Sequence, residues 1–362
     1  MSGFDWPPLR PELRGVEPYG APQLDVPVCL NVNENPYGPP PEVVRDIADS
    51  VARVAGDLNR YPDREFVALR DALAGYLARE SGVPVTREQV WAANGSNEVM
   101  LQILQAFGGP GRTAVSFAPT YSMYPEYARD SMTAWVAGRR REDFGLDVDH
   151  ARELIEQHQP SVILLPSPNN PTGTAVPAEV VSALAEIAPG VLVIDEAYAE
   201  FRRQGTPSAL ELLGRHPNLI VTRTMSKAFA LAGARIGYLA ADATLCDALR
   251  VVRLPYHLSA VTQAMGSAAL RHADLLLEKV DELRRERDRT VDWLREQGHE
   301  VADSDANFAL FGRFADRRAV WEGLLARGVL IRETGPEGWL RVSIGTPAEM
   351  TAFQDALTEV TR

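Results

Sequence analysis

The stretch Leu219-Ile220-Val221-Thr222-Arg223-Thr224-Met225-Ser226-Lys227 passes from a short apolar strand into a hydroxyl-rich turn that carries a lysine. Similar apolar runs precede it at residues 114–117, 162–165 and 191–194, and helical patterns such as 177–188 separate several of them. Continuous apolar strands that alternate with helices predict a mostly parallel sheet with helices on both faces. The sequence therefore predicts an α/β fold, in which ligands bind beyond the carboxyl ends of the strands.

Polar residues follow these predicted strands. They form the segments Pro119-Thr120-Tyr121, Ser167-Pro168-Asn169-Asn170-Pro171-Thr172-Gly173, Asp195-Glu196-Ala197-Tyr198 and Thr224-Met225-Ser226-Lys227. A further strand at 90–93 leads through Asn94-Gly95-Ser96-Asn97 into a helix at 98–107, a pattern that suits an anion site but also an ordinary helix cap. Because the carboxyl ends of parallel strands meet at one edge, we expect these segments to line one binding site.

Lys227 stands out because the chain has only two lysines among its 37 basic residues. The other, Lys279, lies in an amphipathic helical run, where we expect it to be solvated. The neighbours Ala228 and Phe229 suit a partly desolvated amine at Lys227. Desolvation lowers the pKa of an amine, and a neutral amine can attack a carbonyl carbon to form a Schiff base. A structural lysine whose amine pairs with a carboxylate is the alternative.

The composition limits the partners of this protein. Its formal net charge is −12, from 37 basic and 49 acidic residues, which argues against a nucleic-acid or anionic-membrane surface as the main partner. No apolar stretch approaches the roughly 20 residues that a membrane helix needs. Cys29 and Cys246 lack the spacing of a disulfide scaffold or a metal site, so we expect a cytoplasmic protein without a bound metal.

Three regions of the chain differ in their residue patterns. Residues 1–40 are rich in proline, glycine and asparagine and predict an extended N-terminal arm. Residues 41–255 carry the predicted sheet and are expected to form a large domain. Residues 256–362 predict a smaller α+β domain, with one long helical run from residue 261 to about residue 296, followed by strands at 306–311, 329–332 and 340–344.

Several short motifs occur in order along the chain. They are Asn33-Glu34-Asn35-Pro36, Arg60-Tyr61-Pro62-Asp63, Ser167-Pro168-Asn169-Asn170-Pro171-Thr172-Gly173, Asp195-Glu196-Ala197-Tyr198 and Ser226-Lys227-Ala228-Phe229-Ala230-Leu231-Ala232-Gly233. This set resembles pyridoxal-phosphate-dependent aminotransferases with the aspartate aminotransferase fold and, more sharply, histidinol-phosphate aminotransferases. The resemblance extends over essentially the whole chain. It implies fold type I, with a large three-layer α/β/α domain that binds the cofactor and a smaller α+β C-terminal domain.

The resemblance also implies pyridoxal 5′-phosphate as the cofactor and a role for each motif residue. Lys227 would hold the cofactor covalently and move a proton at the substrate, and Asp195 would pair with the pyridine nitrogen. Asn170 and Tyr198 would hydrogen-bond the ring oxygen, and Tyr121 would stack on the ring. The residues implied for the cofactor phosphate are Ser96, Asn97, Thr224, Ser226 and Arg235, together with Tyr61 from the neighbouring subunit of a homodimer.

On the substrate side, the resemblance implies Arg341 and Arg332 as anion-binding residues and Tyr19 and Asn33 as lining residues. The two guanidinium groups would hold the phosphate of L-histidinol phosphate and, in the second half-reaction, a carboxylate of 2-oxoglutarate. The products would be imidazole acetol phosphate and L-glutamate, as in histidine biosynthesis. Either arginine could instead be a solvated strand residue.

Three alternatives stay open at the level of sequence. An aromatic amino acid aminotransferase would use the same scaffold and differ mainly in its pocket residues. A decarboxylase or a β-eliminating enzyme would use the same lysine and cofactor. A non-catalytic ligand-binding domain would retain the fold alone, although such a domain has no need of Lys227, Asp195 and Tyr198 together.

Overall fold

A seven-stranded central sheet contains the apolar runs in this computed structural model. The structure describes residues 8–362, so the first seven residues of the expected N-terminal arm lie outside the described part. The strands are β1 (Val28–Cys29), β2 (Val90–Ala93), β3 (Thr113–Ala118), β4 (Ala134–Arg139), β5 (Val162–Pro166), β6 (Val191–Asp195), β7 (Leu219–Thr224), β8 (Gly237–Ala241), β9 (Glu300–Val301), β10 (Phe308–Gly312), β11 (Val329–Leu330), β12 (Arg332–Glu333) and β13 (Trp339–Ser343). The α-helices are α1 (Pro41–Ala55), α2 (Val67–Ser81), α3 (Ser96–Phe107), α4 (Tyr124–Asp130), α5 (Val148–His158), α6 (Ala178–Ile187), α7 (Ala243–Val252), α8 (Ala260–Arg271), α9 (Ala273–Glu296), α10 (Arg317–Ala326) and α11 (Pro347–Val360).

The central sheet has the strand order β2-β8-β7-β6-β5-β3-β4. Strand β8 runs antiparallel to both of its neighbours, and the other neighbouring pairs are parallel. Every residue of β5 and of β6 is buried, as expected for parallel strands that are covered on both faces. The predicted α/β architecture with a mostly parallel sheet is confirmed.

Two strands of the central sheet were not predicted from the sequence. Strand β4 lies at the edge of the sheet, and most of its residues are half-buried or exposed, so it lacks a continuous apolar run. Strand β8 begins with a glycine and ends with two alanines, a composition that carries little strand signal. Both strands are therefore defined by their tertiary pairing.

The prediction of one long helical run from residue 261 to about residue 296 is wrong, because the chain forms two helices, α8 and α9, that break at His272. The Nε2 atom of His272 lies 3.0 Å from a carboxylate oxygen of Asp46 on α1, and Arg271 donates to the same carboxylate at 2.9 Å. No glycine or proline stands at the break. The end of α8 therefore coincides with a contact to α1, and the local sequence contains no signal for it.

A second sheet, with the order β12-β13-β10-β9, packs in a separate hydrophobic core with α9, α10 and α11. Strand β1 of the arm pairs with β11, which attaches the arm to this part of the molecule. Tyr198, Phe201 and Ala228 also belong to the second core, although they follow strands of the central sheet. The division of the chain at residues 40 and 255 stays a prediction.

The second sheet meets the carboxyl edge of the central sheet. Arg341 on β13 donates a hydrogen bond to the side chain of Asn170, which lies in the segment after β5. A site at this edge is therefore enclosed from two sides. Within residues 8–362, no helix is both long and apolar enough to cross a membrane.

Gly190, just before β6, has no room for a side chain. A Cβ atom there would meet backbone atoms of Ser161, whose carbonyl accepts a hydrogen bond from the Val191 amide at 3.0 Å. Because backbone cannot rotate away as a side chain can, we expect Gly190→Ala to lower the free energy of unfolding by about 1–3 kcal/mol in a urea titration. Gly214→Ala is the control, since a Cβ at Gly214 meets open space. Equal stability of the two variants would contradict this tight packing.

Candidate active site

A cavity of about 460 Å³ lies at the carboxyl edge of the central sheet. The N-terminal arm, the segments after the central strands and the segment around β12 and β13 all contribute to its wall. The structure brings together there every site residue expected from the sequence except Tyr61. These residues are Tyr19, Asn33, Ser96, Asn97, Tyr121, Asn170, Asp195, Tyr198, Thr224, Ser226, Lys227, Arg235, Arg332 and Arg341.

Lys227 follows the end of β7 in a tight turn. The hydroxyl of Thr224 accepts a hydrogen bond from the Ser226 amide at 3.2 Å, which stabilises the turn. The Lys227 amine donates to the backbone carbonyl of Val32 at 2.8 Å, rather than to a carboxylate. Burial and then the positive charge of Arg341 lower the pKa of Lys227 to about 8. The amine is thus partly neutral near this pH, as a nucleophile or a proton acceptor must be.

Asp195 ends β6 in the wall of the cavity. Its carboxylate oxygens accept hydrogen bonds from the Thr222 hydroxyl at 3.0 Å and from the Tyr124 hydroxyl at 3.1 Å. Burial raises the pKa of Asp195 to about 6, although both hydrogen bonds oppose that shift. Both of these hydrogen-bond partners are neutral hydroxyl groups rather than cations. The carboxylate can therefore accept a hydrogen bond from a cationic group of a ligand.

Thr222 and Tyr124 were not singled out from the sequence. Thr222 is paired with Asp195 in the register of the parallel strands β6 and β7, which places their side chains on the same face. Tyr124 begins α4 and is fully buried. Both contacts depend on the strand register and on helix packing, which the local sequence pattern does not specify.

Tyr198 is at the centre of a hydrogen-bond network in the cavity. Its hydroxyl oxygen accepts from the side-chain amide of Asn33 at 3.0 Å and from that of Asn170 at 3.4 Å. Burial raises the pKa of Tyr198, so its hydroxyl stays protonated and has a proton to donate. Tyr121 lines the same cavity and packs edge-on against Tyr124, with ring centroids 5.5 Å apart.

One end of the cavity is suited to an anion. Ser96 and Asn97 form the first turn of α3, and the N-terminus of this helix has no side-chain cap. Uncapped amides at a helix start attract anions through their N–H groups and the helix dipole. The Arg235 guanidinium lies beside this turn and donates to the carbonyl of Ala232 at 2.9 Å. It stands so close to Gly95 that a Cβ atom there would collide with it.

Gly237 at the start of β8 allows the helix to approach this end of the cavity. A Cβ atom at Gly237 would meet the backbone amide of Ser96 and the carbonyl carbon of Gly95. The helix was expected to start at Glu98 and in fact starts at Ser96. Ser96 and Asn97 are thereby residues of the first helical turn, where backbone N–H groups have no partner within the helix.

Arg341 enters the cavity from the second sheet. Its guanidinium donates to the Asn31 carbonyl at 3.0 Å and to the Asn170 side chain. It also lies 5.1 Å from the centroid of the Phe308 ring, and its Nε atom is buried without a partner. Burial lowers the pKa of Arg341 to about 10, so the group is still cationic at neutral pH. A buried cation of this kind is a candidate for binding an anionic ligand, and it is not a solvated strand residue.

Arg332 and Tyr19 lie where the N-terminal arm meets the cavity. Arg332 is half-buried and donates to the Gly20 carbonyl at 3.3 Å. Tyr19 accepts a hydrogen bond from the Ser122 hydroxyl at 3.1 Å. These contacts hold the arm across the rim of the cavity.

Tyr61 is the expected site residue that the structure leaves outside this cavity. Its side chain is 80% exposed and stacks on Tyr256, with ring centroids 4.5 Å apart. Its proposed contact with a cofactor phosphate therefore requires a second subunit.

Several polar residues of the cavity wall were given no role by the sequence analysis, namely Asn31, Glu34, Thr120, Ser122 and Thr334. Glu34 lies inside a motif that was quoted, and its negative charge raises the pKa of Lys227, in opposition to burial. Thr120 also lies in a quoted segment after a strand. Asn31 and Thr334 stand outside every motif, and only the fold brings them to the cavity.

The residues of the cavity fit pyridoxal 5′-phosphate. An amine with a lowered pKa at Lys227 suits an aldehyde, and the buried carboxylate of Asp195 suits a protonated ring nitrogen. The start of α3 and the guanidinium of Arg235 suit a phosphate group. Gly95 and Gly237 allow the Arg235 guanidinium and the start of α3 to approach closely at this end of the cavity.

Known proteins are similar to this chain over nearly its whole length. A family model described as aminotransferase class I and II matches residues 26–357. This chain belongs to that aminotransferase family. Among the similar members is a histidinol-phosphate aminotransferase of Thermobifida fusca, 62% identical over 354 residues that cover 98% of this chain and 95% of the relative. A protein named histidinol-phosphate aminotransferase 3 from Burkholderia lata is 60% identical, over 98% of this chain and 95% of its own length.

A solved aminotransferase structure confirms the fold. The crystal structure of histidinol-phosphate aminotransferase from Sinorhizobium meliloti in complex with pyridoxal 5′-phosphate superposes with a TM-score of 0.86. It is 27% identical in sequence, and the match covers 99% of this chain and 98% of that chain. The expected fold of the pyridoxal-phosphate-dependent aminotransferases is therefore present.

The raised pKa of Asp195 predicts that the free energy of unfolding of the cofactor-free protein depends on pH. The folded pKa of about 6 exceeds that of an unfolded aspartate, so the wild-type protein loses stability as the pH rises from about 4 through 6. Asp195→Asn cannot ionise, so we expect its unfolding free energy to rise relative to that of the wild type by about 1–2 kcal/mol as the pH increases from about 4 to 6, and this difference to persist at higher pH. Urea unfolding of the cofactor-free proteins measures this difference. The exposed Asp49→Asn is the control, and a difference for Asp195→Asn that does not change with pH would contradict the shift.

Proposed function

We propose that this protein is a histidinol-phosphate aminotransferase. It transfers the amino group of L-histidinol phosphate to 2-oxoglutarate and forms imidazole acetol phosphate and L-glutamate, as a step of histidine biosynthesis in the cytoplasm. The observation that carries the proposal is the 60–62% identity, over 98% of the chain, to relatives that bear this name. The charge distribution of the cavity supports it, because an anionic substrate needs cations such as Arg341.

Pyridoxal 5′-phosphate is the proposed cofactor. When bound, it supplies an electron-withdrawing ring that lowers the energy of negative charge at the substrate Cα. Lys227 would hold it covalently, and Asp195 would accept a hydrogen bond from its protonated ring nitrogen. The other proposed cofactor contacts are Asn170 and Tyr198 at the ring oxygen, Tyr121 on the ring face, and Ser96, Asn97, Thr224, Ser226 and Arg235 at the phosphate.

Lys227 is also the proposed proton carrier. With a pKa of about 8, a fraction of its amine is neutral near neutral pH and can accept a proton from the substrate Cα. Its conjugate acid can return that proton during the same half-reaction. The hydrogen bond to the Val32 carbonyl holds the amine in the cavity before the substrate binds.

Arg341 and Arg332 are proposed to bind the anionic end of both substrates. Arg341 is buried and carries a free Nε, and Arg332 stands opposite it in the register of β12 and β13, so both residues line the same part of the cavity. A phosphate in the first half-reaction and a carboxylate in the second can each accept hydrogen bonds from a planar guanidinium. Asn33 and Tyr19 would line the same end.

A homodimer is proposed as the functional assembly. Tyr61 stacks on Tyr256, and exposed apolar residues lie near them in sequence at Leu58, Val251 and Leu254. Exposed apolar side chains of this kind are typical of interaction surfaces. A second copy of the chain on this surface would bring Tyr61 towards the neighbouring cofactor phosphate.

An aromatic amino acid aminotransferase is the less favoured alternative, because the relatives described above are named for histidinol phosphate. The two functions differ in the anionic group of the amino donor, which is a phosphate in one case and a carboxylate in the other. A direct comparison of the two donors therefore separates them.

The absorbance spectrum of the pyridoxal-phosphate-saturated protein tests the proposed function. We expect the cofactor band to change at a far lower concentration of L-histidinol phosphate than of L-phenylalanine, because the phosphate dianion pairs more strongly with Arg341 and Arg332. Lys227→Ala is the control, and we expect it to keep its circular dichroism spectrum and lose transamination. An equal or stronger response to phenylalanine would support the aromatic alternative. A response without formation of glutamate from 2-oxoglutarate would indicate another reaction.

Tyr61→Phe tests the proposed contact between subunits. The variant keeps the ring that stacks on Tyr256 and loses only the hydroxyl, so we expect the dimer to persist in analytical ultracentrifugation. We expect the dissociation constant for pyridoxal 5′-phosphate to rise by about tenfold, since a hydrogen bond to a charged group contributes about 1.5 kcal/mol or more. Tyr256→Phe is the matched control and should bind the cofactor as wild type does. Unchanged affinity in Tyr61→Phe would refute the contact.

A further inference from the structure

A cluster of buried charges lies directly behind the cavity wall. Its buried members are the carboxylates of Glu196 and Glu200 and the guanidinium groups of Arg202 and Arg223, the half-buried carboxylate of Glu80 completes it, and we call it the buried charge cluster. None of these side chains lines the cavity. The cluster therefore has no direct role in the proposed chemistry, although its burial is costly enough to need an explanation.

Arg223 connects the cluster across three elements. Its Nε donates to Glu196 just beyond β6 at 2.8 Å, and its Nη1 donates to Glu200 at 3.1 Å. Its Nη2 donates to Glu80 near the end of α2 at 3.1 Å. Arg223 is only 1% exposed, so these bonds operate in a water-poor environment where they are strong.

Glu196 is held from both sides. Its carboxylate accepts from the Ser208 hydroxyl at 2.8 Å and from the Ala209 amide at 2.7 Å, in addition to the bonds from Arg223. Burial raises the pKa of Glu196, but the charges of Arg223 and Arg202 outweigh burial and leave this pKa below its usual value. Glu196 is thus an ionised group in a fixed position.

Glu200 differs from Glu196 in its surroundings. It lies in a short 3-10 helix, Ala199–Phe201, and accepts from Arg223 and from the Tyr76 hydroxyl, while its second oxygen has no partner. Burial raises the pKa of Glu200, and the charge of Arg223 offsets this only in part. Glu200 belongs to the same cluster but does not adjoin a strand end. Its substitution is therefore a matched control for the substitution of Glu196.

The chain positions of Glu196 and Arg223 link the cluster to the cavity. Glu196 directly follows Asp195, and Arg223 stands between Thr222, which donates to Asp195, and Thr224, which donates to the Ser226 hydroxyl at 2.9 Å. Successive residues of a strand point to opposite faces of the sheet, so the ion pair occupies one face and the site residues the other.

We propose that the Glu196–Arg223 ion pair is a positioning element that fixes Asp195 relative to Ser226 and Lys227, and so sets the affinity of the site for its cofactor. Side-chain contacts join the two strand ends on both faces, with the Thr222–Asp195 hydrogen bond on the cavity side and the ion pair on the opposite face. They add to the backbone hydrogen bond from the Glu196 amide to the Thr222 carbonyl at 2.9 Å. A change in the ion pair would therefore alter the distance between Asp195, which is proposed to contact the ring nitrogen, and Ser226, which is proposed to contact the phosphate. This inference rests on the proposed pyridoxal-phosphate function.

Two isosteric variants separate positioning from general stability. Glu196→Gln and Glu200→Gln each replace one buried carboxylate of the same cluster by an amide of the same shape. We expect Glu196→Gln to raise the dissociation constant for pyridoxal 5′-phosphate on the order of tenfold. Metal affinity falls to a similar extent when a residue that orients a metal ligand is replaced. We expect Glu200→Gln to stay within about twofold of wild type, because Glu200 is not adjacent to Asp195 or to the Ser226 turn.

The measurement is fluorescence titration of the full-length, cofactor-free protein with pyridoxal 5′-phosphate, together with the pH dependence of the bound-cofactor absorbance. Thermal unfolding of the cofactor-free variants reports the structural cost separately. Equal cofactor affinities in Glu196→Gln and Glu200→Gln, whatever their melting temperatures, would overturn the inference. Failure of the wild-type protein itself to bind the cofactor would instead overturn the proposed function.

Glu196→Asp tests the inference if Glu196→Gln does not fold. This variant retains the charge and shortens the reach towards Arg223 by one methylene group. We expect a cofactor affinity between those of wild type and Glu196→Gln, with a shifted pH dependence of the cofactor absorbance. An affinity and a pH dependence identical to those of wild type would show that the position of this carboxylate does not matter.

Discussion

The burial of two opposite charges at the carboxyl edge of the mostly parallel central sheet is the constraint on which the site depends. Asp195 and Lys227 follow the neighbouring strands β6 and β7, yet the carboxylate accepts hydroxyl groups and the amine donates to a backbone carbonyl. Burial raises one pKa to about 6 and lowers the other to about 8. Both pKa values therefore lie close to neutral pH. The Lys227 amine can then exchange a proton, while most of the Asp195 carboxylate stays ionised and can pair with a cationic ring.

Support for this constraint comes from both faces of the sheet and from the second core. Thr222 and Tyr124 hold Asp195 on the cavity side, and the buried charge cluster holds the strand ends on the other. Buried ion pairs often contribute little net stability compared with apolar packing of the same volume. A role in position therefore accounts for the cluster better than a role in stability. Arg341 adds a cation from the second sheet, so the cavity is complete only when both sheets pack together.

The parts of the fold and of the site that could be predicted are those with a local signal. Strands β5 and β6 are continuous apolar runs because they are covered on both faces, and the turn that carries Lys227 follows such a strand directly. Strand β4 at the edge, strand β8 and the break at His272 have no such signal, since pairing or a contact with Asp46 defines them. Likewise, Thr222 and Tyr124 reach Asp195 through strand register and helix packing, which act between distant parts of the chain.

By itself, the sequence determined the α/β class, the positions along the chain of the strands that carry the motifs, and the chemical types of the groups at their ends. These follow from hydrophobic periodicity and from turn residues, which act over a few neighbouring positions. Only the tertiary structure decided which of these groups share one cavity, how far their pKa values move, and that Tyr61 lies outside it. Burial and electrostatic coupling depend on what surrounds a side chain in space, and the residues that surround Lys227, such as Val32 and Arg341, lie more than a hundred positions away along the chain.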